Sequence, residues 1–281
     1  MVPTFVIFLR EGIEASMIVA ILLAYLKRIG QRELFANVFW GVAAAFVLIS
    51  TGGVAAYLLI EQYNGSNIQT YFETGTFLLA AAVLTYMTFW MQSHARGLSS
   101  NLQERSNTAI SKGGRWSLGL LAFQAVGREG LETMVFTLAI IFANSKQAAT
   151  PASGNLLWLG ASLGLATSLA LAVGIYRMGA RINLRLFFRV LGVALMVFAA
   201  GLLSDAIQNM QELKWLPFLR HQLWNSSGLL SENSNFGNIL HSLVGYAQRP
   251  TTLQAIVWLV YIAAGTSLFL ILGKRKKPAL V

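Results

Sequence analysis

The pentapeptide Arg10-Glu11-Gly12-Ile13-Glu14, set within Leu9 to Ala15, recurs as Arg128-Glu129-Gly130-Leu131-Glu132 behind Gly127. Both copies interrupt stretches otherwise apolar enough to cross a bilayer. The chain has 11 acidic residues, and four of them sit in these two copies. A carboxylate in hydrocarbon is costly, so such a residue normally faces a polar cavity or pairs with a cation. Two carboxylate pairs, each beside an arginine, point to a site that handles cations.

The surrounding composition sets the class. Hydrophobic residues make up 56% of the 281, charged residues 11%, and the mean hydropathy is +0.59. Soluble domains carry about 25% charged residues, so the chain reads as a polytopic, all-α membrane protein. Its net charge of +10 is not a nucleic-acid signal. Of the 21 Lys and Arg, 15 fall in four clusters: Lys27 to Arg32, Arg96 to Arg115, Arg177 to Arg189 and Lys274 to Lys277. These follow alternate apolar spans, as the positive-inside rule requires. Contact with acidic headgroups of membrane lipids is a secondary role for them. With no cysteine, thiolate sites and disulfides are excluded, and a metal must use oxygen donors or one of three histidines. The N-terminus lacks a basic leader, and charges break its apolar run, so the first span is expected to stay in the mature protein.

A bilayer core needs roughly 20 helical residues. Seven segments are expected to span, at about 3–26, 36–60, 72–92, 117–143, 155–176, 187–210 and 253–272. With the basic clusters inside, the N-terminus lies outside and the C-terminus inside. The motifs are 118 residues apart, 128 minus 10, with three spans from one to the next. Helices 1 and 4 then run in opposite directions. Helices 1–3 (about 1–92) and 4–6 (about 117–210) form an inverted repeat within one transmembrane domain of residues 1–281. An outer connection, 211–252, leads to the seventh helix. At the same offset Ser50 falls on Ser168. In such repeats the substrate site commonly lies near the midplane, where the halves meet.

The polar stretch 92–116 is expected to prolong span 3 and turn at Gly113-Gly114. In the outer connection Phe236, Ile239, Leu240, Leu243 and Val244 share one helical face. That segment is too short to span, and it is expected to lie in the interface or to cap the bundle. Gly160, Gly164, Ser168 and Ala172, at four-residue spacing, read as a column for close helix packing.

At about 100° per residue, Arg10, Glu11 and Glu14 share a helical face, as do Arg128, Glu129 and Glu132. Gly12 and Gly130 point elsewhere and admit a close neighbour. Facing each other, the copies hold four carboxylates and two guanidiniums, a formal net of minus two. Such oxygen ligands favour hard cations: Fe³⁺, Mg²⁺, Ca²⁺, Mn²⁺, and also Fe²⁺. The arginines hold the empty site together until metal competes with them. Carboxylates of opposite copies within about 5 Å can share one ion at ligand distances of roughly 2.0–2.6 Å. A pair of plain salt bridges tying helices together is the bland alternative.

Asp205 and Glu73 are candidates for the approach route, or else interfacial charges that reach water. Gln124, one turn before Arg128, either bonds within the site or packs a polar face. His241 reads as a surface or packing histidine, having no acid or second histidine at i±3 or i±4.

Arg-Glu-Gly-Leu/Ile-Glu in the first and fourth of seven helices resembles the oxidase-dependent iron transporter family. The flanking residues look most like its bacterial, EfeU-type branch, and the likeness extends to Gly245-Tyr246. The resemblance implies an iron permease of the bacterial inner membrane that imports Fe³⁺ or Fe²⁺. It makes Glu11, Glu14, Glu129 and Glu132 the iron-handling residues, with Arg10, Arg128, Gly12 and Gly130 supporting them. It further implies periplasmic iron-oxidising or iron-delivering partner proteins, with iron as transported substrate and no permanently bound cofactor. The fungal branch also uses acidic motifs in its outer connections; here these hold only Glu61, Glu212 and Glu232.

Other readings of the same residues are a permease for Pb²⁺ or Mn²⁺, a proton-coupled cation transporter, or a salt-bridged structural or receptor protein. A membrane-embedded enzyme fits less well. Arginine beside a carboxylate lowers its pKa, whereas acid catalysis at neutral pH needs it raised. No nucleotide-binding P-loop or His-Glu-x-x-His pattern is present.

Overall fold

The computed structural model describes residues 1–94, 98–145, 151–178, 184–231 and 234–274. Among them are eight α-helices: α1 (Val2–Arg28), α2 (Phe35–Glu61), α3 (Asn67–His94), α4 (Leu98–Ser145), α5 (Pro151–Met178), α6 (Leu184–Glu212), α7 (Asn235–Val244) and α8 (Thr252–Lys274). The all-α class is as expected. α1 begins with Pro3 in its first turn, where the missing N–H leaves no bond unmade. It ends on Lys27 and Arg28, whose charges complement the helix dipole.

Among the described residues five helices are long and apolar enough to cross a membrane, through Arg32–Glu61, Asn67–Met91, Asn155–Gly174, Arg189–Glu212 and Thr252–Phe269. The two other long helices, α1 and α4, are the ones that carry the motif charges. α6 is the most enclosed of the five, whereas α2, α5 and α8 expose apolar side chains such as Trp40, Leu59, Trp158, Leu169 and Val260. An apolar exterior of this kind is what lipid requires.

The polar stretch after span 3 corrects the sequence reading. α3 is described to His94, residues 95–97 lie outside the described residues, and α4 is helical from Leu98 through Gly113 and Gly114 to Ser145, so no turn falls at Gly113-Gly114. The polar residues 98–116 are therefore continuous with span 4. Two mid-helix glycines cost about 1 kcal/mol each relative to alanine, too little to break a helix continuous on both sides.

The broadest interfaces pair α1 with α5, α2 with α4 and α3 with α6, and α1 also packs along α4. Small residues line these seams. Gly160 meets the backbone of Met1, Gly164 that of Phe5, and Ser168 packs on Gly12. In the α2–α4 seam Gly41 meets the backbone of Gly119, and Ile49 packs on Gly130.

Two apolar clusters lie at different heights of the α1–α4 pair. One joins Ile7 of α1 to Phe136 and Ile140 of α4, with Phe77, Leu84, Leu195 and Phe198. The other joins Ile18, Leu22 and Leu26 of α1 to Leu118 and Ala122 of α4, with Val38. The early part of α1 thus meets the late part of α4 and the reverse, so the two helices are antiparallel. Residues 10–14 and 128–132 fall between the clusters.

The connection after α6 is pinned to the bundle. Trp215 stacks on Tyr71 with ring centroids 5.3 Å apart, and Gln222 bridges to Thr251. α7 packs chiefly on α6 and also touches α1 and α4, so it caps the bundle. Its N-cap is Ser234, whose hydroxyl accepts from the Gly237 N–H. At its other end Trp258 Nε1 donates to the Val244 carbonyl at 2.6 Å. There Gly245 is left-handed, with φ of 74°, and lies against Gly201 of α6.

A side chain at residue 245 would be strained by backbone and by contact together. Gly245→Ala is expected to destabilise the protein by about 1–3 kcal/mol, read as a lower unfolding temperature in detergent. Gly52→Ala, at a helical site with open space around it, is expected to leave that temperature unchanged or raised.

Candidate metal centre

Four of the six motif charges sit where the fold excludes water. Arg10, Glu11, Glu14 and Glu129 are buried, while Glu132 is partly buried. Arg10 pairs with both acids of its own copy. Its NH1 donates to Glu11 Oε1 at 2.5 Å, and its Nε faces Glu14 Oε1 at 3.2 Å. The second copy repeats the pattern more loosely. Arg128 NH2 lies 3.2 Å from Glu129 Oε1, and Nε lies 3.4 Å from Glu132 Oε1. The i,i+1 and i,i+4 spacing that places three charges on one face is thus used as a clamp in both helices.

Ligand oxygens of Glu11, Glu14 and Glu129 all lie within 4.8 Å of one another. This is the separation at which carboxylates from opposite copies can share one ion. Glu132 is not in that group; it stays with Arg128 at the margin. Each of the four carboxylates also keeps one buried oxygen with no hydrogen-bond partner among the described residues: Glu11 Oε2, Glu14 Oε1, Glu129 Oε2 and Glu132 Oε2. For Glu14 this is the atom facing Arg10 Nε, outside hydrogen-bond geometry. Buried oxygens left unsatisfied are unfavourable, and a cation arriving among them would relieve that cost.

The two arginines are not equivalent. The Arg10 side chain is 3% exposed and that of Arg128 48%, so only the second can leave its carboxylates without crossing packed protein. Arg128 lies over the Trp90 ring, 5.2 Å from its centroid, within cation–π range. NH2 of Arg128 approaches Met87 Sδ at 3.9 Å, and NH2 of Arg10 approaches Met91 Sδ at 3.7 Å. α3 thus presents Met87, Trp90 and Met91 to both guanidiniums. Sequence reasoning missed these three. Their i, i+3, i+4 spacing is a usable signal, but methionine and tryptophan in an apolar helix also read as ordinary packing.

The glycines of the motif serve close approach. A side chain at residue 12 would collide with Ser168 of α5, and one at residue 130 with Ile49 of α2. Of the remaining candidates, Glu73 is buried and accepts from Gln69 Nε2 at 2.9 Å and from Asn209 Nδ2 at 3.5 Å. Asp205 lies 4.0 Å from His241 Nε2, whose Nδ1 bonds the Tyr246 carbonyl at 2.8 Å. The acid partner absent from the sequence neighbourhood of His241 comes from α6 instead. Gln124 is exposed on α4 and joins neither the motif nor Arg128.

The iron permease FTR1 family matches residues 1–275. The chain belongs to this family. It is 33% identical over 266 residues to "Ferrous iron permease EfeU" of Escherichia coli O157:H7, covering 92% of this chain and 91% of the relative. It is 30% identical over 270 residues to the protein of that name from Yersinia pestis, covering 94% and 92%. It is also 33% identical over 266 residues to the "Putative inactive ferrous iron permease EfeU" of Escherichia coli K12. No solved structure matches the chain. The family match spans both motifs and every described helix, and a permease family is a family of transporters.

Removing one partner of a buried ion pair leaves the other charge uncompensated. Arg10→Met is expected to destabilise by about 3–5 kcal/mol. Arg128→Met, at the half-exposed position, is expected to cost clearly less. Thermal unfolding of the two purified variants in detergent checks the order.

Proposed function

We propose that this chain is a multi-pass permease that imports iron across a bacterial inner membrane through the centre formed by Glu11, Glu14 and Glu129. The observation that carries this reading is the convergence of their ligand oxygens to within 4.8 Å. That distance suits a single ion, and the set supplies only hard oxygen donors. Glu132 with Arg128 is the adjoining pair, through which the ion enters or leaves. Arg10 and Arg128 hold the carboxylates while no metal is bound.

Fe²⁺ is the favoured cargo. The two motifs carry a formal charge of minus two, which a divalent ion balances, and the relatives are named as ferrous iron permeases. Fe³⁺ would leave a net positive charge in a buried site. A membrane potential, negative inside, supplies about 2.3 kcal/mol per charge per 100 mV, or roughly twice that for Fe²⁺. Periplasmic proteins that oxidise or deliver iron are the partners this role implies.

The architecture proposed is seven spanning helices, α1 to α6 and α8, with the N-terminus outside and the C-terminus inside. Residues 1–281 form one transmembrane domain, built of an inverted repeat (about 1–92 and 117–210) with 211–252 and the last helix added. Packing supports the repeat. The α1–α5 seam matches the α4–α2 seam, with Met1 corresponding to Gly119 and Gly12 to Gly130 at an offset of 118. Gly41 then corresponds to Gly160 and Ile49 to Ser168, at an offset of 119. The Ser50–Ser168 match expected from the sequence slips by one residue in the packing.

Glu11→Gln, Glu14→Gln and Glu129→Gln are each expected to abolish uptake of radiolabelled Fe²⁺ into proteoliposomes while leaving the protein folded. Normal uptake by all three would sink the assignment. Mn²⁺ or Pb²⁺ outcompeting Fe²⁺ in the same assay would keep the site and change its cargo.

A further inference from the structure

Away from the motifs, α2, α3, their connection and α4 line a half-open cavity of about 500 Å³. Its polar wall comes from Glu61, Asn64, Asn67, Gln69, Thr70 and Glu73, where α2 ends and α3 begins. Its other wall is apolar and includes Ile60 and Phe142. Both belong to the cluster that also holds Ile7, Phe77 and Phe136, the plug on one side of the metal centre. The cavity therefore ends against that plug. Along α4, Phe142 stands ten residues past Glu132, about 15 Å at 1.5 Å per residue.

We propose that this cavity is a second cation site, a capture vestibule in which a divalent metal binds with much of its water before entering the metal centre. Glu73 is its anchoring carboxylate and Glu61 its rim carboxylate. This inference rests on the import reading and its orientation, which put the α2–α3 connection outside. The donors are carboxylate, amide and hydroxyl oxygens, the set that hard divalent cations accept while keeping several waters. Size agrees: six waters at about 30 Å³ each occupy roughly 180 Å³, well within the cavity.

Glu73 is built in, not a stray surface acid. It is 2% exposed on a span-length helix, and the Gln69 and Asn209 amides orient its two oxygens. Glu61 is exposed at the mouth. A carboxylate at the mouth followed by one at the floor gives an entering cation two successive partners. Phe77 lies one turn beyond Glu73, and Phe136 one turn beyond Glu132; both are fully buried. These rings separate the vestibule from the centre, so an ion waits in the first until the plug opens.

The test uses the full chain, with Mn²⁺ as the binding probe and Fe²⁺ as the transported ion. Wild type is expected to bind two Mn²⁺ by electron paramagnetic resonance titration in detergent. Glu73→Gln is expected to lose one of them and to raise the KM for Fe²⁺ uptake about tenfold with maximal rate nearly unchanged, the pattern of lost binding outside the transport step. Glu73→Asp should recover much of both. Glu61→Gln, at an exposed position safe for the fold, should raise KM in the same direction by about threefold. Glu129→Gln should lose the other Mn²⁺ and the maximal rate while keeping the vestibular ion. Two Mn²⁺ and an unaltered KM in both Glu73→Gln and Glu61→Gln would overturn the proposal, as would a fall in maximal rate alone. Normal transport by Glu129→Gln would instead defeat the reading of the metal centre, and the Mn²⁺ count would still judge the vestibule.

Discussion

Three carboxylates and a guanidinium held out of water between two apolar clusters are the constraint around which the molecule is arranged. A charge in that position is tolerable only when its partners are fixed before it is buried. The pentapeptide fixes them locally, since Arg10 reaches Glu11 and Glu14 from its own helix and Arg128 reaches Glu129 and Glu132 from the other. Each helix can then be inserted as a partly neutralised unit. Antiparallel packing of α1 on α4 brings two such units together and leaves unpaired oxygens turned toward a common space.

Close packing of backbones makes that meeting possible. α1 lies against α5, and α4 against α2, through glycine and serine contacts that continue beyond the motifs. Within lipid there is no hydrophobic drive to hold helices together, so such contacts and interhelical polar bonds carry the association. The motif glycines thus act on the side away from the carboxylates. They set the helix positions on which the spacing of Glu11, Glu14 and Glu129 depends.

Much of this was legible in the chain because rare residues carry it. Eleven acids in an apolar sequence make two Arg-Glu-Gly-x-Glu copies conspicuous, and helical geometry puts their charges on one face. What stayed hidden depends on long-range meeting of common residues. Met87, Trp90 and Met91 look like packing until α3 is placed beside both arginines. Asp205 and His241 are 36 residues apart, 241 minus 205, and no local spacing joins them. Gly113-Gly114 misled for the opposite reason: a local breaker signal was weaker than the helix on either side. Glu132 shared the motif pattern yet stands apart from the other three acids, because Arg128 lies at the half-exposed edge.

That edge has a consequence for symmetry. Two nearly identical pentapeptides occupy unlike surroundings: one guanidinium is enclosed, and the other is laid on an indole ring. The two pairs therefore hold with unequal firmness: Arg10 cannot leave Glu11 and Glu14 without crossing packed protein, whereas Arg128 can leave Glu129 and Glu132 along its open side. A twofold pattern in the sequence thus becomes a one-sided centre, with a fixed half facing a looser one.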